Sequence, residues 1–284
     1  MRSIWIGLAV GLAGLGLVSG AGAVSLEGSA QPERDPAVTA LPALGRVGEL
    51  GQTRYCLRGR LDRKRAAELV RLARDLHADV SRRFLRGRHP KAELPPVEVC
   101  LFASPADYLA FTQTLFGTGN TISDYGFYSP LRRLVLADLS IGTANLRHEL
   151  VHPLLFDEFG ELPYWLNEGL AELYATAGRK GRAFVLRPEA SRLRRLRRAL
   201  RAGELPSLDA LARSGYREVY GPQHGLYYGM GIGVLGFLER RGKLDAFVRE
   251  LARKPMTAER QQRMLGRFVG QKAFTDWLRG TGAR

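Results

Sequence analysis

Two pairs of side chains, each spaced four residues apart, constrain this chain more than any other feature. The first is His148 and His152 in RHELVH; the second is Glu168 and Glu172 in PYWLNEGLAE. On an α-helix, residues four apart lie one turn above each other on the same face. If both segments are helical and antiparallel, two imidazoles and two carboxylates meet across a helix pair. The residues between them fit that arrangement. Thr143 is placed to cap the first helix, Gly160 to stop it, and Pro163 to open the second, which is expected over Pro163 to Thr176.

His148-Glu149-Leu150-Val151-His152 is an HExxH pattern, the spacing with which a helix presents two imidazoles to one ion. Zinc accepts two histidine nitrogens and a third protein ligand, and at a catalytic site keeps its fourth position for water. The metal acidifies that water, and a neighbouring carboxylate takes its proton as it attacks a carbonyl carbon. A solvated helix with two histidines is the plainer account, and at this chain's composition HExxH arises by chance in about one such sequence in two hundred. The second helix decides against it, because an ordinary hairpin has no reason to carry two carboxylates on the matching face. The expected ligands of one Zn2+ are therefore His148, His152 and Glu168. Glu149 is the expected base, and Glu172 is expected behind a ligand histidine's free N–H. The alternative pattern HExxHxxGxxH fails at Leu155 and Glu158, which leaves Glu158 only an outside candidate for third ligand.

HELVH followed by WLNEGLAE resembles the gluzincin zinc metallopeptidases of the peptidase MA clan, closest to small exported bacterial members. The likeness extends over roughly residues 52–281 and implies an α+β, zincin-like fold. It implies an exported enzyme that hydrolyses peptide bonds of a peptide or protein substrate, with His148, His152 and Glu168 on zinc and Glu149 as base. GFYSPLRRLVLAD, residues 126–138, resembles the family's edge strand, which lines the cleft and pairs with an extended peptide. GLYYGMGIGVLGFLERRG, residues 225–242, resembles the helix bearing the family's catalytic tyrosine. Tyr228, ten residues before Leu238, takes that role of hydrogen-bond donor to an oxyanion; Tyr227, Tyr220 and His224 compete, and a merely buried aromatic is the plain account. The chain lacks the GxMxN stretch with which related aminopeptidases hold a free amine, so endopeptidase is favoured. Pro153, just after the second histidine, departs from the pattern and should kink the helix. Two other readings stand beside this one. They are a non-catalytic envelope-binding protein stabilised by zinc, and an amide hydrolase acting on cell-wall peptides.

The first residues combine Arg2, an apolar run from Ile4 to Val18 and the small Ala21-Gly22-Ala23, the layout of a secretory signal peptide over residues 1–23. The expected location is periplasmic or secreted, or membrane-anchored if the leader is retained. The formal net charge is +15, and loss of Arg2 with the leader leaves +14. Such a surplus favours anionic partners, and export makes nucleic acid the least favoured of them. The charge peaks between Arg179 and Arg201, where SRLRRLRRALRAG also spaces Leu193, Leu196 and Leu200 along one face. That segment is either a solvated helix packing its leucines inward or a surface for anionic membrane or envelope polymer. Cys56 and Cys100, the only cysteines, lie in β-like runs; in an oxidising compartment they are expected to form one disulfide between neighbouring strands.

Residues 24–50, with Pro32, Pro36 and Pro42, read as a flexible linker, and the peptidase-like domain as residues 51–284. Strands are expected over Thr53 to Gly59 and Pro96 to Phe102, with a strand pair over Tyr125 to Tyr128 and Leu134 to Asp138. Leu69, Leu72, Leu76, Val80 and Phe84 give an amphipathic helix from Arg63 to Leu85, and Pro105 to Phe116 is a second. GTGN at 117–120 lacks the ending and spacing of phosphate-binding loops. Residues 51–160 thus form an α+β half and 161–284 a helical half. His77 and His89 read as packing or surface residues.

Overall fold

A computed structural model describes residues 35–48, 53–85, 94–118, 123–221, 224–253 and 256–280. The expected leader therefore lies outside the described residues, as does His89. No helix among the described residues is long and apolar enough to cross a membrane.

The chain is α+β. Its first part holds α1 (Pro36–Thr39), β1 (Ala43–Val47), β2 (Tyr55–Gly59), α2 (Arg63–Phe84), β3 (Val97–Phe102), α3 (Pro105–Phe116), β4 (Gly126–Ser129) and β5 (Leu134–Asp138). Then come α4 (Ala144–Phe159), α5 (Tyr164–Ala175), β6 (Gly178–Lys180), β7 (Ala183–Val185), α6 (Ala190–Ala202), α7 (Leu208–Ala212) and α8 (Tyr216–Tyr220). The chain ends with α9 (His224–Arg240), α10 (Leu244–Leu251), α11 (Ala258–Phe268) and α12 (Gln271–Arg279). Five strands make one mixed sheet in the order β1-β2-β3-β5-β4, with β2, β3 and β5 parallel and both edge strands antiparallel. Because side chains alternate across a strand, Leu57, Val99 and Val135 point into the main core under α2 and α4, while Cys100, Phe102 and Leu136 face a smaller core with Val38 and Tyr108. Burial on both faces explains why β3 and β5 are mostly apolar, apart from Glu98, which pairs with Arg58 at 2.6 Å, and Asp138 at the end of β5.

Three expectations are corrected. The linker over 24–50 is not all linker, since α1 and β1 lie within it and β1 closes the sheet by pairing with β2. The helical half contains the β6–β7 hairpin, held where Arg179 and Arg182 both reach Asp75 on α2, at 2.5 and 2.9 Å. Cys56 and Cys100 do lie on neighbouring strands, but no disulfide joins them. The parallel register sets Cys56 opposite Glu98 and Cys100 opposite Arg58. The two cysteines are thus diagonal neighbours, typically ~7–8 Å apart, beyond the usual reach of a bridge.

What positions the site is the way α4 is gripped along its length. At its start Arg147 donates to the carbonyls of Ala175 and, at 2.8 Å, Ala177, which sets the register against the end of antiparallel α5. At its middle Pro153 removes the amide that would serve the Glu149 carbonyl, yet the helix runs on to Phe159. The next carbonyl, of Leu150, accepts the hydroxyl of fully buried Tyr55 at 2.6 Å. At its end Asp157 receives both arms of Arg133, at 2.6 and 2.8 Å, and the Thr53 hydroxyl at 2.7 Å. Arg133 sits in the β4–β5 turn with φ 47, so the lock joins the hairpin to the helix. On the far side of α5, Gly169 faces Gly231 of α9; a Cβ on Gly231 would strike the Trp165 carbonyl, and only glycine allows that approach.

The Asp157 side chain is 2% exposed and that of Arg133 11%. Asp157→Ala is expected to cost about 3 kcal/mol in urea unfolding, since it strands a buried guanidinium. Replacing both residues with leucine should cost less than the single change; an Asp157→Ala loss below about 1 kcal/mol would contradict the lock.

Candidate metal centre

The two helix faces meet as the spacing requires. His148 and His152 on α4 and Glu168 on α5 are all buried, and they offer three ligand atoms within 4.8 Å of one another. His148 Nε2 lies 3.3 Å from one Glu168 oxygen and His152 Nε2 lies 3.8 Å from the other. The imidazole centroids are 4.9 Å apart. Glu158 is not part of the group. Glu172, one turn further along α5, lies 3.5 Å from His148 Nδ1, on the far side of that ring from Glu168. The Asn167 side-chain oxygen sits 3.2 Å from His152 Nδ1. Each imidazole thus has one nitrogen turned to the shared carboxylate and the other backed by a side chain of α5. Asn167 escaped the sequence reasoning, although its place beside Glu168 in NEG was a signal.

Electrostatics follow from burial. Desolvation works against a protonated His148, but Glu168 and Glu172 outweigh it and hold its pKa well above the ordinary histidine value. His152 is pushed down to about 4 by burial. Burial alone would raise Glu168, yet His148, His152 and the Tyr220 hydroxyl hold it near 2. Glu149 is raised to about 7, chiefly by burial and against the pull of His148. Two nitrogens and a carboxylate oxygen, buried and converging, form a donor set that suits a borderline cation such as zinc.

The group lies in the wall of a cleft of about 580 Å³, also lined by Glu149, by Gly126, Phe127 and Tyr128 of edge strand β4, and by Tyr164, Tyr220 and Met256. Tyr128 stacks parallel to His152, with centroids 6.4 Å apart. A Cβ on Gly126 would come within 3.0 Å of the Glu149 carboxylate, so glycine there leaves that group its space.

Tyr228 does not lie where the resemblance implies. Tyr228 is buried and does not line the cleft; its hydroxyl points to Glu172 at 3.5 Å, behind His148. Tyr220, a competitor at the sequence level, lines the cleft and donates to Glu168 at 2.6 Å. Tyr227 is half-buried against the main core, and the His224 side chain lies outside the described residues. In the basic segment Leu193, Leu196 and Leu200 pack into the main core, while Arg194, Arg195, Arg198 and Arg201 are exposed. The leucine face of α6 is therefore already used, which leaves its outer face only charge to offer a partner.

No family model matches the chain, and a search of curated proteins found no similar sequence.

Because Glu168 and Glu172 raise the pKa of His148 against the effect of burial, its proton competes with a cation for the same nitrogen. Zinc uptake at pH 7 is expected to release about one proton per chain, read by calorimetry in buffers of different ionisation enthalpy. Affinity should fall as pH drops through the raised His148 range, by about tenfold per unit below it. Uptake without proton release would contradict this electrostatic account.

Proposed function

We propose that the chain is a zinc-dependent hydrolase of peptide bonds, of gluzincin type with a zincin-like layout. The observation that carries this reading is the convergence of His148, His152 and Glu168 in the wall of an open cleft that Glu149 shares. When bound there, zinc supplies Lewis acidity, lowering the pKa of water and polarising a carbonyl.

The chain's own residues do the rest. The free edge of β4 offers backbone groups along the cleft, so an extended peptide can pair with it as a further strand. Glu149, which shares the wall of the cleft with the three ligands, takes the proton of the attacking water as oxygen bonds to the carbonyl carbon. It then gives that proton to the leaving nitrogen as the C–N bond breaks. The Tyr220 hydroxyl is the donor closest to hand for the developing oxyanion, in place of Tyr228. Glu172 and Asn167 orient the imidazoles.

A zinc staple in a non-catalytic envelope-binding protein would need a fourth protein ligand. Glu172, the nearest candidate, is engaged behind His148 with Tyr228 and Arg192, which favours a site with one open position. Residues 1–23 support a periplasmic or secreted location.

Glu149→Gln is expected to keep one zinc per chain, measured by elemental analysis, while losing at least ~100-fold in casein turnover. Tyr220→Phe should lower kcat by about 10–100-fold with little change in KM, and Tyr228→Phe should do far less. Wild-type protein purified without chelators and lacking stoichiometric zinc would sink the proposal.

A further inference from the structure

Glu172 is 3% exposed, and a carboxylate so buried must be fixed by partners. Three meet it from three helices. His148 Nδ1 of α4 lies 3.5 Å from Oε2, the Tyr228 hydroxyl of α9 lies 3.5 Å from the same oxygen, and Arg192 Nη2 of α6 lies 3.6 Å from Oε1. Two arginines of α6 turn away from solvent: Arg197, which donates to the Leu278 carbonyl at 2.7 Å, and Arg192. Its side chain is 18% exposed, whereas Arg194, Arg195 and Arg198 face solvent. The guanidinium carbon stands 5.1 Å above the Tyr228 ring, so that ring supports Arg192 while the Tyr228 hydroxyl points to Glu172.

We propose that Arg192 is a positioning residue of the metal centre, acting through Glu172 on the orientation of His148. This inference rests on the metal-centre reading given above. Geometry and charge both support it. Glu172 can back His148 only in the rotamer that turns Oε2 toward Nδ1, and Arg192, by holding Oε1, fixes that rotamer from the opposite side. Glu149, Glu168 and Glu172 put three carboxylates in one buried cluster, and a dication offsets two of them. Among the described residues, Arg192 is the lysine or arginine in ion-pair range of the cluster, and it offsets the third. The basic segment thus sends Arg192 inward to the site, while Arg194, Arg195, Arg198 and Arg201 stay exposed.

The test uses the full chain and zinc itself, with affinity read by competition against a chromogenic chelator and ligand geometry read from the visible spectrum of the Co(II) form. Arg192→Leu should weaken zinc binding about tenfold and shift the Co(II) bands, the usual scale for loss of an outer partner of a ligand histidine. Arg192→Lys should recover most of the loss, and Arg192→Gln serves in place of the leucine variant should that one fail to fold. In a Glu172→Gln background, Arg192→Leu should cost nothing more. An affinity within twofold of wild type with unchanged Co(II) bands, or a loss that adds fully to that of Glu172→Gln, overturns the inference alone. A wild-type chain that binds no zinc overturns the metal-centre reading and this inference together.

Discussion

Burying several charges at one point is costly, and the pairing of α4 with α5 is the interaction on which the rest of this structure depends. Two imidazoles and two carboxylates face each other across that helix pair, with Glu149 beside them, all under 9% exposed. Such a group is tolerable only if its members are held within hydrogen-bonding reach and their lone pairs are used. The fold supplies that hold from outside the site. Arg147 fixes the register at one end of α4, and the Asp157–Arg133–Thr53 lock fixes the other end to the sheet. Gly169 and Gly231 let α9 close over α5, which brings Tyr228 up to Glu172. Few of these residues touch the cleft, yet each limits how far an imidazole or carboxylate can stray.

The parts of the fold that were legible in sequence are those where side-chain period and packing agree. Leu69, Leu76, Val80 and Phe84 share one face of α2 and lie in the main core, so the period alone revealed that helix. β1 was hidden for the opposite reason. Of its five residues only Val47 is buried, and its proline-rich surroundings imitate a linker. The β6–β7 hairpin has three-residue strands, one of them with no buried residue, and is held by Arg179 and Arg182 on Asp75, a contact between residues about a hundred apart in sequence. Local pattern carries no trace of such a tie.

The site divides in the same way. His148, His152, Glu168 and Glu172 were legible because four-residue spacing fixes a helix face, and the two faces needed only to be antiparallel to meet. The tyrosine was not. Tyr228 and Tyr220 stand eight residues apart on different helices, and which hydroxyl reaches the cleft depends on how α8 and α9 are turned about their axes. The cysteines failed in a related manner. Both were rightly placed on adjacent strands, but a register two residues off direct opposition separates a bridge from a diagonal contact, and register is set by the whole sheet.

Charge is distributed with a sharp division between surface and site. The sequence carries 43 lysines and arginines against 28 acids, yet among the described residues no lysine or arginine lines the cleft. A fixed cation there would compete with a bound dication for Glu168. Outside, Arg194, Arg195, Arg198 and Arg201 of α6 are exposed and do not line the cleft, and solvent ions screen their charge over about 10 Å. The leucines of the same helix are committed to the core, which makes any contact with an anionic surface electrostatic and sensitive to salt. Arg192 is the exception that joins the two regions. Facing inward, it spends its charge on Glu172 and so belongs to the site, not to the surface.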